Sequence, residues 1–137
     1  MSTNVRTEIS KKSPYHLSKH RMLELKHFCL QYPEWKKEYE RIEVLRSYFP
    51  FGLPSESGHS DRTGDLGTKA ADLMLKMNLV DRLCQQYGGD ICDWLFMGVA
   101  YGMSFPQMEA RGIPCSRDYY YERYRKFYWG LDRAKRS

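Results

Sequence analysis

The chain has no Cys-x-x-Cys pair. Its four cysteines, Cys29, Cys84, Cys92 and Cys115, stand apart, so zinc-ribbon and thioredoxin-like chemistry find no suitable spacing. No apolar run approaches the roughly 20 residues of a membrane helix. The opening MSTNVRTEISKKS lacks the apolar heart of a secretory leader. These absences lead us to expect a reduced, cytoplasmic protein with buried or idle thiols and no membrane partner. There is also no glycine-rich phosphate loop, no dinucleotide fingerprint and no carboxylate pair on one helix face. Residues Gly58-His59-Ser60-Asp61 contain the letters of a triad. They are contiguous, however, whereas a triad needs a rigid arrangement from distant segments. His16, His20 and His27 share nearly one helical face with Cys29 nearby, but no second cluster stands at ligand spacing. The expectation is therefore no enzyme, no cofactor and no metal. Strand alternation, repeats and low-complexity tracts are missing as well, which leaves an all-α chain.

What is present is positive charge and aromatic rings. The 137 residues carry 22 Lys and Arg against 17 Asp and Glu, a net +5, and 15% of them are aromatic. Such a balance favours an anionic partner, nucleic acid ahead of acidic protein or a membrane surface. The length suits one domain, or one domain with a tail, and can bury a core without staples.

Residues 1–16 are polar, basic and aperiodic, and read as a flexible arm. From Ser18, apolar positions Met22, Leu25, Phe28 or Cys29, and Tyr32 recur at helical spacing. Pro33 ends that helix and suits the first turn of the next, whose stripe is Trp35, Tyr39, Ile42 and Leu45. Residues 17–49 thus read as a helical hairpin. Residues 50–64, PFGLPSESGHSDRTG, hold too little apolar surface to order themselves and read as a linker. A third helix is expected over Asp65–Tyr87 with the stripe Leu66, Ala70, Leu73, Met77, Val80 and Cys84, ended by Gly88-Gly89. A fourth, Asp90–Tyr101, is apolar almost all round and should sit centrally.

Residues 65–137 read as a helical core ending in a helix-turn-helix. Ser104-Phe105-Pro106-Gln107 is a capping box, with Pro in the first turn. Gly112 is placed to end that short helix, Pro114 cannot continue it, and Ser116 caps the next. The final helix, Arg117 to about Arg133, has an inner face of Tyr120, Tyr124, Phe127 or Tyr128, and Leu131. Arg117, Asp118, Tyr121, Glu122 and Arg125 fall on the other side, where a recognition helix meets base edges. Arg123, Lys126 and Arg133 suit phosphates, as do Lys135 and Arg136. From Arg117 onward seven basic residues face three acidic ones, a net +4 against +5 for the whole chain. The surplus rings Tyr119, Tyr121 and Trp129 have alternative uses: packing, a protein interface, or stacking on unpaired bases.

The stretch GMSFPQMEARGIPCSRDYYYERYRKFYWGL resembles the last helix-turn-helix of sigma factors, their region 4. It also resembles late-gene activators of Gram-positive phages, the RinA and ArpU type. Ser104, Gln107, Met108, Gly112, Ile113 and Ser116 carry the likeness, with Tyr120, Tyr124, Phe127 or Tyr128, and Leu131. It departs at Glu109, where these motifs usually have Ala, and in a turn lengthened by Pro114-Cys115. The wider layout, with YPEWKKEYE early and DRTGDLGTKAADLMLKMNLV in the middle, is similar in style to small prophage proteins of Firmicutes. The resemblance implies a small helical bundle that binds double-stranded DNA in the host cytoplasm as a transcriptional regulator. RNA polymerase contact and a homodimer would be in keeping with it. A second expectation from a different class is a phage-encoded inhibitor, an anti-CRISPR or host-factor binder, that captures a host defence nucleoprotein.

Overall fold

The computed structural model describes residues 13–51 and 61–136, with the backbone alone for 61–64. The chain is all-α, and no strand occurs among the described residues. In order the elements are α1 (Lys19–Leu30), α2 (Tyr32–Tyr48), α3 (Asp61–Gly88), a 3-10 turn (Gly89–Ile91), α4 (Cys92–Tyr101), α5 (Phe105–Ala110) and α6 (Arg117–Arg136). Residues 13–16 of the expected arm are described and form a turn; residues 1–12 and 52–60, the rest of that arm and most of the expected linker, lie outside the described residues. So do His59 and Ser60 of the triad-like letters.

The punctuation follows the local chemistry. Ser18 caps α1, its Oγ accepting from the Arg21 N–H at 3.2 Å. Pro33 sits second in α2, where its missing N–H costs nothing. Helix α3 begins four residues earlier than its stripe suggested, at Asp61 rather than Asp65. Gly64 falls inside it, because a glycine costs a helix only about 1 kcal/mol relative to alanine. A long apolar stripe outweighs that. At the far end, the residues expected to open the fourth helix instead form the 3-10 turn, and α4 proper starts at Cys92.

Two compact units emerge. One comprises Tyr32–Asn78, hence α2 and the first part of α3. In it Tyr32, Trp35, Ile42, Ala70, Leu73 and Met77 are buried. Lys76 lies over the Trp35 ring, 5.7 Å from its centroid, and Lys69 pairs with Glu38 at 3.0 Å. The other unit comprises the described residues up to Gln31 together with Leu79 onward. There α1, α4 and α6 pack on one another. The division thus falls between α1 and α2, and the two helices read as a hairpin belong to different units.

Within the second unit the core joins Met22, Leu25 and Cys29 of α1, Val80, Leu83 and Cys84 of α3, and Leu95, Val99 and Ala100 of α4. Tyr120, Phe127, Tyr128 and Leu131 of α6 complete it. Each such side chain withdraws apolar surface worth roughly 1.5–3 kcal/mol when large. Helix α4 is less enclosed than its composition suggested: Trp94, Phe96 and Met97 are only half-buried. Burial pushes the Cys29 thiol up to about 12 and raises the Cys84 thiol as well. Both behave as small apolar groups. No disulfide forms among the described residues.

Candidate nucleic-acid interface

The segment from Tyr101 to Arg117 orients α6. Gly102 closes α4 in a left-handed conformation, with its N–H and that of Met103 returning to the Gly98 and Met97 carbonyls at 3.1 and 3.2 Å. Ser104 and Gln107 form the anticipated capping box. The Gln107 N–H donates to Ser104 Oγ at 3.3 Å, and the Ser104 N–H donates to Gln107 Oε1 at 2.9 Å. Helix α5 then ends on Gly112 at φ +90°, while the Ile113 N–H reaches the Met108 carbonyl at 3.0 Å. Ile113 is buried and anchors the turn. Ser116 caps α6 through the Tyr119 N–H at 3.2 Å. Short helix, turn and long helix are therefore all present where the sequence places them.

Three neighbours hold the inner side of α6. Tyr120 lies against Phe105 at 5.7 Å between ring centroids, and its hydroxyl meets Gly98 so closely that a Cβ there would collide. Gly130 gives the Tyr87 ring of α3 the same kind of close approach. Both Phe127 and Tyr128 are buried, so the alternatives left open at that turn are both core, while Tyr124 is half-buried.

The charged residues divide by environment. Asp118, Glu122 and Arg133 are exposed, and Arg125 and Lys126 are half-exposed along the same outward strip. Arg117 is exposed but stacks on rings, its guanidinium 5.1 Å from the Tyr121 centroid and 6.0 Å from that of Phe105. Tyr121, expected on the outer side, is half-buried among Phe105, Tyr120 and Tyr124. Arg123, grouped with the phosphate-facing cations on sequence grounds, turns toward the end of α3. Its Nη1 donates to the Tyr87 carbonyl at 3.4 Å and its Nη2 to the Tyr119 hydroxyl at 2.7 Å. Its Nε is buried without a hydrogen-bond partner among the described residues. The Tyr119 hydroxyl in turn donates to Asp90 at 2.8 Å, and that bond raises the Tyr119 pKa.

Two features carried no signal in the periodicity. Asp132 is 6% exposed. It accepts from Arg21 Nε of α1 at 2.6 Å and from Arg136 Nε at 2.9 Å. Burial works to raise its pKa, but the two guanidinium bonds prevail and hold the carboxylate below its ordinary value. The second feature is a ladder at the C-terminal half of α6. Lys126 Nζ lies 5.7 Å from the Tyr15 centroid, Tyr15 packs edge-to-face with Trp129 at 5.2 Å, and Arg133 covers Trp129 at 5.0 Å. A cleft of about 540 Å³ opens there between residues 14–17 and the last turns of α6. Gly130, a glycine inside a helical pattern, was the one available hint of a close approach on this helix.

Among the described residues no group of three His, Cys, Asp or Glu could hold a metal ion, and no helix is long and apolar enough to cross a membrane. No protein-family model, curated protein or solved structure matches this chain.

Proposed function

We propose that the protein binds double-stranded DNA through α6 and acts as a transcriptional regulator in the cytoplasm of its host cell. The observation that supports this most is the outward strip of α6. Arg125, Lys126, Arg133 and Arg136 follow one another along solvent on a helix whose opposite side is locked into the core. Twenty residues of α-helix span about 30 Å, ample to lie along a major groove. Asp118 and Glu122 stand exposed near its N-terminus, where carboxylates can accept from cytosine N4. Arg125 is the candidate for a bidentate guanine contact; Lys126, Arg133 and Arg136 are candidates for phosphate. Arg123 serves as a positioning residue that ties α6 to α3.

The test is duplex selection from a random pool, then affinity across a salt series. Tight sequence-selective binding should weaken log-linearly with salt. Arg125→Ala should relax preference at one base pair by about 1–3 kcal/mol, and Arg133→Ala should weaken all sequences alike, lowering the salt slope by about one. Binding that is absent, or blind to sequence in every variant, would sink the regulator reading.

The rival reading, capture of a host polymerase or defence component, draws on the other unit. Tyr48 is 76% and Leu75 68% exposed there, with Val44 and Phe51 also open. Isolated exposed apolar residues are common, so these support the rival less than the charged strip supports DNA.

A further inference from the structure

We infer that the cleft at the C-terminal end of α6 is a second nucleic-acid site, one that takes an unpaired nucleotide with its base against Trp129 and its phosphate on Arg133 and Arg136. The inference goes beyond duplex binding by the outward strip: the two share Arg133 and Arg136, whereas Trp129 and the wall from Pro14 to Leu17 belong to the cleft. Lys126, Tyr15, Trp129 and Arg133 alternate cation, ring, ring, cation within about 6 Å steps. Rings interleaved with cations are the means by which proteins hold single strands, because every base has a π-face and every linkage a charge. At about 540 Å³ the cleft falls within the size range of small-ligand pockets.

Its charge also favours a phosphate. Arg133 and Arg136 line the cleft with a single carboxylate, Asp132, which is itself held by Arg21 and Arg136. Two cations less one anion leave the lining at +1. Asp132 uses the Nε of Arg136, and both Nη groups are further donors. The buried Asp132 thus fixes Arg136 at the rim, and Arg133 is exposed beside it. Pro14 and Leu17 give the floor and wall an apolar surface against which a base can lie. A duplex presents no free base face to Trp129, which is why the occupant is an unpaired nucleotide.

Fluorescence anisotropy of a labelled oligo-dT on the full chain tests this, with thermal midpoints as the folding control. Wild type should bind, and Trp129→Ala should lose about tenfold in affinity, the effect of removing one stacking ring. Trp129→Phe should recover most of it. Arg133→Glu, at an exposed position that leaves the core intact, should lose at least as much. Unlabelled mononucleotide that displaces the oligomer identifies a free nucleotide as the occupant; failure to displace it identifies a strand. Equal oligo-dT affinity in wild type, Trp129→Ala and Arg133→Glu would overturn the inference, as would no binding at low salt. Duplex affinity measured in parallel separates the two sites, since Trp129→Ala should leave it within about twofold.

Discussion

Asp132 shows how one side chain can hold several others in place. A carboxylate this buried is costly unless fully partnered, and here Arg21 and Arg136 partner it from two different helical segments. Asp132→Asn keeps the shape and removes the charge, so it should cost about 2 kcal/mol, in the range for losing charged hydrogen bonds. The pH dependence has a defined sign. Asp132 titrates below its ordinary value in the folded chain. Its contribution is therefore complete above the unfolded value of about 3.9 and is lost as pH falls through the lower folded value. Urea denaturation of both proteins should show the difference at pH 7 and a smaller one at pH 3. A difference that grows on acidification would contradict the assignment. None of this was legible beforehand: Asp132 counted only as one acidic residue in a basic segment, since its partner Arg21 lies 111 positions away.

Helices α5 and α6 are positioned by their ends. Helix α5 has six residues, too few for a helix that stands by propensity alone. It persists through its capping box, the left-handed Gly112 and the burial of Phe105 and Met108. Ser104→Ala should therefore destabilise the protein by about 1 kcal/mol, while Ser104→Asp, a competent cap, should cost much less. Chemical denaturation measures both. Hydrogen exchange should show the loss concentrated at Gln107 and Met108, whose amides the cap and first turn satisfy. Spread evenly over all helices, the loss would argue against a local cap. These boundaries were legible because caps are set within four residues of chain. The start of α3 and the turn before α4 were less so. There the competing signals, a glycine in a long stripe and a Gly-Gly pair before an apolar run, are settled by packing.

Taken together, the buried titratable groups make the fold sensitive to alkali. Burial holds Cys29, Cys84, Tyr120 and Tyr128 above their ordinary values, Cys29 to about 12. Each favours folding fully below the pKa it has when unfolded, about 8.5 for a thiol and about 10 for a phenol. That stability is lost as pH rises through the folded values. The thermal midpoint should be flat near pH 8 and fall steadily from about pH 9 to 11. Cys29→Ala should blunt the fall at its lower end. A midpoint that stays flat over that interval would show the thiols and phenols to be solvated.

The all-α class, the apolar stripes and the capped turn before α6 follow from short-range rules of periodicity and capping, and residues within a few positions of one another carry all the information needed. Which of the many cations of α6 are free to meet a ligand does not follow from such rules. Periodicity puts Arg117 and Arg125 on the outer side and Arg123 among the phosphate-facing cations, yet Arg117 stacks on Tyr121, Arg123 is anchored to Tyr87 and Tyr119, and Arg125 alone of the three lies on the outward strip. The cleft at Trp129 likewise joins residues 14–17 to 129–136. Their meeting depends on how α1, α3 and α4 pack around α6, a matter of long-range shape and burial that no local spacing encodes.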